Sequence, residues 1–401
     1  MGSGAREHVL AWKVLQQSPD CELYVAPGNL ETRKLGRALP IEVSDIGGLV
    51  QFARDADIDL TIVGPEGPLA AGIVDVFHES HLAIYGPSAS AAMIESSKAW
   101  AKAFMMRHEI PTARFEICHS IDEIGPCIHQ FDNVPVIKDD GLAGGKGVTV
   151  ATTFDEAAAA ARKIFETRAD AQVVVEERLE GWELSIHAFC DGTQAKLMPP
   201  ACDYKRLRDG DRGPNTGGMG AYSPSAVGDQ LLGSIQKSIV EPAIRGMASE
   251  GRPFVGVLYP GLMITSDGPK VLEFNCRFGD PEAQAILPLL ESNLLEIILD
   301  SIAGRLGDRM IQWSRRYCCA VVVASPGYPD NPQPAEPRGY ESIPSVTPFR
   351  GGASGRLLTV SALGDSLADA REEAYAALKM IDVGGGKYRR DIAAFDRALG
   401  V

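Results

Sequence analysis

One segment of the chain, residues 273–282, could hold a metal that carries phosphates. Glu273 and Asn275 are two residues apart, so on a strand their side chains share one face. A carboxylate oxygen and an amide oxygen are hard ligands, of the kind that Mg²⁺ accepts when phosphates carry it. Arg277 falls on the same face, where its guanidinium could clamp a phosphoryl group during transfer. Such an alternating polar face is more often merely solvated, but the Gly-Asp-Pro-Glu continuation at 279–282 favours a metal site.

A glycine-rich loop is a second candidate site, for a polyphosphate. Lys138 ends a predicted strand, and Gly141-Leu142-Ala143-Gly144-Gly145-Lys146-Gly147 follows before the next one. Consecutive glycines let backbone N–H groups approach an anion, and a lysine at each end adds positive charge. The loop is not a Walker A motif, because no Ser or Thr follows Lys146 and a strand comes next. A plain hairpin turn would explain the glycines but not the two lysines.

The amino terminus carries a weaker phosphate signal. Gly2-Ser3-Gly4-Ala5-Arg6-Glu7-His8 has the first part of a dinucleotide-binding fingerprint, but Glu7 stands in the place of the third glycine. The pattern still suits a phosphate at a helix amino terminus, with Arg6 close by. His8 is as readily explained by helix packing or capping as by catalysis.

Two further segments are ambiguous without context. Glu183 follows a Gly-Trp turn and could accept hydrogen bonds from ribose hydroxyls, while the chain near Leu179 could offer backbone groups to an adenine edge. A single Glu in a turn is usually just exposed. The glycine-rich stretch 214–222 is either a loop that wraps a substrate or a mobile surface loop, and residue types alone do not separate these.

The elements that must position these residues begin with a repeated strand–turn–helix pattern over residues 1–90. Residues 22–26 and 60–63 are predicted buried strands, and each ends in a Gly/Pro turn. Residues 46–56 between them have helical apolar spacing. Such repetition predicts a doubly wound parallel sheet, whose ligands bind at the carboxyl ends of the strands.

Beyond residue 90 the pattern changes to strands and helices of a different layout. In chain order the predicted elements are a helix at 91–107, strands at 134–138 and 148–151, a helix at 157–165, strands at 172–177 and 271–275, a helix at 287–306, strands at 320–324 and 357–362, and a helix from 366 to about 380. The fold class predicted for the whole chain is α/β.

Composition limits the classes of function. The 401 residues carry a net charge of −14, which argues against a general nucleic-acid or membrane-surface binder. No apolar run approaches the ~18 residues of a membrane span, and no signal peptide is visible. The eight cysteines have no Cys-x-x-Cys spacing and are most simply reduced thiols. These features predict a cytoplasmic protein that binds neither nucleic acid nor membrane.

Taken together, these segments resemble the phosphoribosylamine–glycine ligase family of the ATP-grasp superfamily, over nearly the whole chain. The resemblance depends most on Gly-Pro-Asn-Thr-Gly-Gly-Met-Gly-Ala-Tyr-Ser-Pro at 213–224 and Glu-Phe-Asn-Cys-Arg-Phe-Gly-Asp-Pro-Glu at 273–282. It implies a monomer with an amino-terminal doubly wound domain (1–94), an ATP-grasp α+β domain (95–303) with a mobile lid at about 113–182, and a small carboxy-terminal α/β domain (304–401).

The resemblance also implies a reaction and a set of residues. ATP, glycine and 5-phospho-β-D-ribosylamine would give glycinamide ribonucleotide, ADP and phosphate, in de novo purine synthesis. The implied ATP-binding residues are Lys98, Lys138, Gly144, Gly145, Lys146, Gly147, Glu176, Leu179 and Glu183. Mg²⁺ or Mn²⁺ would be bound by Glu273 and Asn275. The implied catalytic residues are Arg277, Asp280 and Lys138, and the implied substrate-binding residues are Gly4, Arg6, Gly64, Pro65, Glu66, Asn215 and Gly218.

Two departures from the family pattern lie near the candidate phosphate sites. The family begins with an apolar strand before its first Gly-x-Gly, whereas only Met1 precedes Gly2 here. We therefore expect the natural start about five to ten residues upstream. Asp139 stands where the family has a small residue. On a strand it points away from Lys138, so we expect it to be tolerated, although a carboxylate near phosphates could weaken ATP binding.

Two other departures lie elsewhere in the chain. Cys202 and Tyr204 replace the usual Gln and His around Asp203, and residues 346–356 are shorter than the family's hairpin. Three alternatives therefore stay open at this point: an ATP-grasp ligase for another carboxylate or amine, an inactive nucleotide-binding homologue, and a nicotinamide-dependent oxidoreductase. The last depends on Gly-x-Gly alone and fails at Glu7.

Overall fold

The structure is a computed structural model that describes residues 1–142, 144, 147–168, 170–353, 355–394 and 396. It mixes helices and sheets throughout, as the α/β prediction requires. In this described part of the chain, no helix is both long and apolar enough to cross a bilayer.

The amino-terminal region alternates short parallel strands with helices. Its elements are α1 (Ala5–Gln17), β1 (Tyr24–Val25), α2 (Thr32–Leu35), β2 (Arg37–Ala38), α3 (Ile46–Asp55), β3 (Thr61–Ile62), α4 (Glu66–Ala70), α5 (Ile73–Glu79), β4 (Ile84–Tyr85) and α6 (Ala89–Ser96). β1 pairs with β2 and β3 with β4, both in parallel. The predicted parallel sheet is therefore present as two pairs of strands.

Met1 and Gly2 lie between these two pairs. The amino group of Met1 donates to the carbonyl oxygen of Ile62 at 2.8 Å, and the N–H of Gly2 donates to Ala26 at 2.7 Å. The β1–β2 pair lies on one side of these two residues, and the β3–β4 pair lies on the other. The glycine turns at Gly4 and Gly64 therefore lie at the carboxyl edge, where the strand order reverses and where such sheets bind ligands.

A second unit carries the glycine-rich loop. It contains α7 (Lys98–Arg107), β5 (Phe115–Cys118), α8 (Ile121–Ile128), β6 (Val136–Asp139), β7 (Val148–Val150), α9 (Phe154–Thr167) and β8 (Val173–Glu176). Its sheet has the order β5-β8-β6-β7, with antiparallel pairing throughout. Ala157, Ala161 and Phe165 recur on one face of α9 and pack on this sheet, with Ile137 and Val175 among their neighbours.

The central sheet carries the predicted metal face. This part of the chain contains β9 (Trp182–Ser185), β10 (Ala188–Asp191), β11 (Ala195–Leu197), β12 (Cys202–Asp203), β13 (Arg206–Arg208), β14 (Arg212–Asn215), β15 (Gly220–Ser223), α10 (Ala226–Ile235), α11 (Glu241–Ser249), β16 (Val255–Thr265), β17 (Gly268–Asn275), α12 (Glu282–Ile286) and α13 (Leu294–Ile302). The order is β11-β10-β16-β17, and β9 also pairs with β16. β16 and β17 form a long antiparallel hairpin, in which Gly261 and Tyr259 of β16 pair with Glu273 and Asn275 at the end of β17.

The carboxy-terminal elements are β18 (Tyr317–Ala324), β19 (Val346–Arg350), β20 (Arg356–Gly364) and α14 (Leu367–Met380). They do not form a sheet by themselves, since the order is β12-β15-β18-β20-β19. Strand β15, which includes the last residues of the glycine-rich stretch at 214–222, pairs directly with β18. This sheet therefore runs across the predicted domain boundary at 303/304.

Two predicted helices are wrong in extent. The helix predicted at 91–107 is broken at Ser97, whose hydroxyl accepts from the N–H of Trp100 at 3.0 Å and starts α7. The break places Lys98 at the first turn of a helix. The helix predicted at 287–306 is a short 3₁₀ turn followed by α13, because Asn293 caps α13 by accepting from two backbone N–H groups.

His8 joins α1 to β19, which decides the open choice for this residue in favour of packing. Its Nδ1 accepts the backbone N–H of Arg350 at 2.8 Å, and its ring meets Phe349 edge-on. Burial lowers the pKa of His8 to about 4, against the opposing effect of Glu31. The side chain therefore stays neutral in the folded protein at neutral pH.

This shift predicts a loss of stability in mild acid. Below its unfolded pKa of about 6.5, His8 takes up a proton in the unfolded chain but not in the folded one. Stability therefore falls between about pH 6.5 and pH 4, and the contribution of this one group at about pH 5 is about 2 kcal/mol. Because His8→Asn keeps an acceptor without titrating, the difference in unfolding free energy between about pH 7.5 and pH 5 should shrink by that amount.

Urea unfolding at both pH values measures the effect, and His78→Asn, at an exposed position of α5, is the matched control. An unchanged pH dependence in His8→Asn would contradict the assignment.

Candidate active site

Lys138 lies where the sheet of the second unit meets β17. Its Nζ donates to the carbonyl oxygen of Leu272 at 2.8 Å and pairs with Oε1 of Glu176 at 2.9 Å. Lys102 pairs with the other oxygen of Glu176, also at 2.9 Å, and all three charged side chains are buried. Burial lowers the pKa of Lys102 to about 8, although Glu176 raises it. Two cations share one carboxylate here, so the junction keeps positive charge for an anionic ligand.

Lys98 ties the start of the glycine-rich loop to α7. Its Nζ donates to the carbonyl oxygen of Gly141 at 2.6 Å, and Asp140 accepts from the N–H of Ala99 at 3.0 Å. Burial lowers the pKa of Lys98, while Glu273 and Asp140 act in the opposite direction.

The loop joins β6 to β7, which pair as an antiparallel hairpin. Gly144 and Gly147 are in the described part of it, and Gly145 and Lys146 lie outside the described residues. Their ATP contacts remain a prediction.

Asp139 points away from this cluster, as predicted. Its carboxylate pairs with the guanidinium of Arg168; the Arg168 side chain is exposed and that of Asp139 is partly exposed. Since Arg168 already neutralises the added charge, we expect Asp139→Ala to change the Kd of ATP by less than about twofold. Calorimetric titration with ATP checks this, with Lys163→Ala as an exposed control on α9. A clear gain in ATP affinity would mean that Asp139 does repel the phosphates.

Glu273 and Asn275 share one face of β17, which confirms the spacing argument. They lie opposite Gly261 and Tyr259 of β16, and Arg277 donates to Oδ1 of Asn275 at 3.1 Å. Within the described residues, the carboxylate of Glu273 makes no hydrogen bond or ion pair. Burial alone would raise its pKa, but nearby cations lower the pKa below its usual value; in order of effect they are Lys205, Lys138, Lys98 and Arg277.

A half-buried carboxylate that stays ionised and has no direct partner in the described chain is suited to bind a cation. The residues present thus fit a divalent metal whose other ligands come from phosphates.

Arg277 is held by several acceptors. Its Nε donates to Glu66 at 3.1 Å, and its Nη2 pairs with Glu95 at 3.1 Å. Glu95 also accepts the N–H of Cys276 at 2.7 Å. Burial would lower the pKa of Arg277, but the two carboxylates raise it overall. The guanidinium is therefore fixed beside the metal face, and its contact with a phosphoryl group remains a prediction.

The amino-terminal glycine loop meets this cluster. Arg6 pairs with Glu7 at 2.7 Å and lies 3.9 Å from Glu66, and Glu7 accepts the N–H of Gly4 at 2.6 Å. A Cβ at Gly2 or Gly64 would overlap Glu7. Glu7 therefore does not disrupt the loop. It caps α1, and its side chain occupies the space next to Gly2 and Gly64.

The structure brings Gly4, Arg6 and the 64–66 turn together, with Glu66 in contact with Arg277. Their binding to a ribose phosphate stays a prediction.

Glu183 lies on β9 and faces Lys205, with Oε2 and Nζ 2.6 Å apart. Burial would lower the pKa of Lys205, but Asp203 and Glu183 raise it well above its usual value. Lys205 is thus a fixed cation that also acts on Glu273. Leu179 lies in the turn between β8 and β9. The roles of Glu183 with ribose and of Leu179 and Glu176 with adenine stay predictions.

Asp280 and the glycine-rich stretch 214–222 are in contact. Gly218 has a φ of +110°, and a Cβ there would overlap Pro281, so this close approach needs glycine. Asn215 ends β14, in the hairpin that leads into this stretch. The carboxylate of Asp280 accepts from Gln284 at 2.8 Å and pairs with Arg356 at 3.1 Å.

Sequence reasoning missed three charged residues of the site, namely Glu95, Lys102 and Arg356. A signal existed for Lys102, which lies four residues after Lys98 on the same face of α7.

Sequence reasoning also left Tyr204 without a role. The Tyr204 hydroxyl accepts the N–H of Ala393 at 3.0 Å, and its ring lies under the guanidinium of Arg389. This substitution therefore has a structural role, in holding the carboxy-terminal segment.

Known proteins share this arrangement along almost the whole chain. Residues 1–95 match the phosphoribosylglycinamide synthetase N domain, residues 96–283 its ATP-grasp (A) domain, and residues 318–395 its C domain. A phosphoribosylamine–glycine ligase from Xanthomonas axonopodis pv. citri (strain 306) is 44% identical over 413 residues, covering 98% of this chain and 96% of that protein.

Solved structures agree. The crystal structure of phosphoribosylamine–glycine ligase from Thermotoga maritima is 31% identical with a TM-score of 0.84, and the match covers 98% of both chains. The biotin carboxylase domain of 2-oxoglutarate carboxylase from Hydrogenobacter thermophilus, at 14% identity and a TM-score of 0.69, shares the fold over 96% of this chain and 90% of that one. The chain therefore belongs to the phosphoribosylglycinamide synthetase family.

Proposed function

We propose that this chain uses ATP to join glycine to 5-phospho-β-D-ribosylamine, giving glycinamide ribonucleotide, ADP and phosphate in de novo purine synthesis. The observation that carries the proposal is the carboxylate of Glu273, which lies among four cations and makes no hydrogen bond or ion pair within the described residues, in a chain of this family. A carboxylate is a poor electrophile, so glycine must be activated before an amine can attack it. Phosphorylation by ATP provides that activation.

The proposed reaction has two steps. A carboxylate oxygen of glycine attacks the γ-phosphorus of ATP, the bond from that phosphorus to the bridging oxygen breaks, and ADP leaves. The amine nitrogen then attacks the acyl carbon of glycyl phosphate, the carbon–oxygen bond to phosphate breaks, and the amine loses a proton. The protein's part is to position the reactants and neutralise charge, as in other phosphoryl transfers.

The charged side chains divide this work. Lys98 and Lys138 would contact the phosphates of ATP, and Glu273 with Asn275 would bind Mg²⁺ or Mn²⁺. When bound, such an ion neutralises phosphate charge. Support for a divalent metal comes from the Hydrogenobacter domain, which was solved with magnesium ADP. Arg277 would hold the phosphoryl group beside that face.

The substrates would lie on the other side of Arg277. Arg277 and Asp280, with Asn215 and Gly218, would position the acyl phosphate and the amine. Gly4, Arg6 and the turn Gly64-Pro65-Glu66 would hold the ribose phosphate at the carboxyl edge of the amino-terminal strands. The contact between Arg277 and Glu66 supports this, since it joins the two halves of the site.

Release of ADP tests the proposal, with glycine and phosphoribosylamine supplied singly and together. We expect ADP formation to require both substrates. ADP formed with neither substrate present would be ATP hydrolysis that needs no substrate and would count against the proposal, as would no ADP under any condition. The presence of Lys98, Lys138, Glu273 and Asn275 argues against inactivity. The monomeric state, the cytoplasmic location, the lid motion and the three domain boundaries remain predictions.

A further inference from the structure

Arg356, at the start of β20, reaches from the carboxy-terminal sheet to the edge of the candidate site. Its Nη1 donates to the carbonyl oxygens of Gly217 and Asp280, at 2.6 and 2.5 Å. Its Nη2 pairs with Oδ2 of Asp280 at 3.1 Å. One guanidinium thus joins two segments that lie more than sixty residues apart in the sequence.

These contacts fix the direction of the Asp280 carboxylate. Gln284 donates to one oxygen at 2.8 Å, and Arg356 holds the other. That second oxygen lies 3.8 Å from the place where a Cβ would stand on Gly4. Asp280 therefore faces the amino-terminal glycine loop, the predicted site of the ribose phosphate.

The neighbouring loop is held from the same side. Gly217 donates its N–H to the hydroxyl of Tyr328 at 2.9 Å, while its carbonyl accepts from Arg356. Both backbone polar groups of Gly217 are thus bound by side chains of the carboxy-terminal region. The next residue, Gly218, packs on Pro281 with a φ of +110°.

We propose that Arg356 is a positioning residue for the amine-transfer half of the reaction. It aligns the Asp280 carboxylate and the Gly217–Gly218 loop so that they receive the amine of the sugar substrate. This inference rests on the proposed function, and in particular on the role given to Asp280. The ATP-binding lysines and the Glu273 face are reached by other elements, so their function does not depend on Arg356.

The geometry explains why a lysine does not suffice at this position. Three acceptors surround a planar guanidinium, whose donors point in fixed directions, and an ammonium on a shorter span cannot satisfy all three. Displacement of a positioning group by about 1 Å costs about 10²-fold in rate. Both Arg356→Lys and Arg356→Met should therefore impair the reaction.

Steady-state kinetics with each substrate varied tests the proposal, together with calorimetric binding of ATP. We expect Arg356→Met to lower kcat/KM for phosphoribosylamine by about 10²-fold and to leave the Kd of ATP within about twofold. Arg356→Lys should recover less than about a tenth of that loss. Arg316→Met, at an exposed arginine beside β18, is the matched control and should change neither quantity.

A double-mutant cycle separates positioning from general damage to the fold. Because Arg356 acts in part through Asp280, the combined loss in Asp280→Asn with Arg356→Met should be clearly smaller than the product of the two single losses. Additive losses, or an equal loss of ATP affinity, would overturn the proposal. If the wild-type chain forms no ADP with both substrates, the proposed function fails instead. An active wild type with unchanged kinetics in Arg356→Met would overturn the role of Arg356 alone.

Discussion

Replacing Glu273 by Gln is expected to lower the rate of ADP formation by about 10³-fold, because the site loses the charge that binds a divalent cation. Gln keeps the shape and one oxygen but not the negative charge. The metal concentration for half-maximal rate should rise as well, which a mere folding defect would not produce. The free energy of unfolding should change by less than about 2 kcal/mol, since the carboxylate makes no direct contact within the described residues.

The measurement is the steady-state rate against Mg²⁺ concentration, with urea unfolding of the same samples. Asp267→Asn is the matched control, since it changes one carboxylate at the exposed turn of the same β16–β17 hairpin. It should leave both the rate and the metal dependence unchanged. Wild-type turnover in Glu273→Gln would show that the metal is bound elsewhere.

Replacing Arg277 by Met should reduce both stability and activity. The guanidinium bridges Glu66, Glu95 and Asn275 in a mostly buried position. Its removal leaves carboxylates without their partner, which costs about 3–5 kcal/mol when such a pair is buried. Turnover should fall by at least about 10²-fold in molecules that remain folded, because the positive charge beside the metal face is lost.

Thermal or urea unfolding and single-turnover rates separate the two effects. Arg305→Met is the control, since Arg305 is exposed and Asp300 keeps a second partner in Arg309, so this pair should contribute less than about 1 kcal/mol. Arg277→Lys keeps the charge but cannot reach all the partners, so we expect it to recover stability only in part. If Arg277→Met lowers the free energy of unfolding no more than Arg305→Met does, the Arg277 guanidinium does not stabilise its contacts with Glu66, Glu95 and Asn275.

The candidate site could be predicted where local spacing determines the direction of a side chain. Glu273 and Asn275 share a face because a strand alternates its side chains, and the structure has β17 there. The same rule separates Lys138 from Asp139: one turns to Glu176, the other to Arg168. At these positions, residue type and the two-residue alternation of a strand are sufficient to predict the direction of the side chain.

Prediction was incomplete where contacts join distant parts of the chain. Nothing in the sequence around Arg356 or Glu95 indicates that their partners are Asp280 and Arg277. These contacts depend on sheet order, in particular on β15 joining the carboxy-terminal strands. A sequence pattern sets which face a residue takes, but only the tertiary arrangement sets what lies opposite.

Helix ends show the same division between local and tertiary information. Apolar spacing alone predicts one helix over 91–107, whereas α6 ends at Ser96 and the Ser97 hydroxyl caps the start of α7. That break matters for function, because it sets Lys98 against Gly141. Glu7 was similarly judged a misfit for a glycine position, and the structure shows it capping α1 between two glycines.

Transfer of ¹⁸O from labelled glycine tests the central proposal most directly. Attack by the glycine carboxylate on ATP, followed by loss of phosphate from the acyl carbon, moves one carboxylate oxygen into the released phosphate. With both carboxylate oxygens labelled, each inorganic phosphate should carry one ¹⁸O when glycine, phosphoribosylamine, ATP and Mg²⁺ are all present. Release of unlabelled phosphate alongside ligation would contradict a glycyl phosphate intermediate.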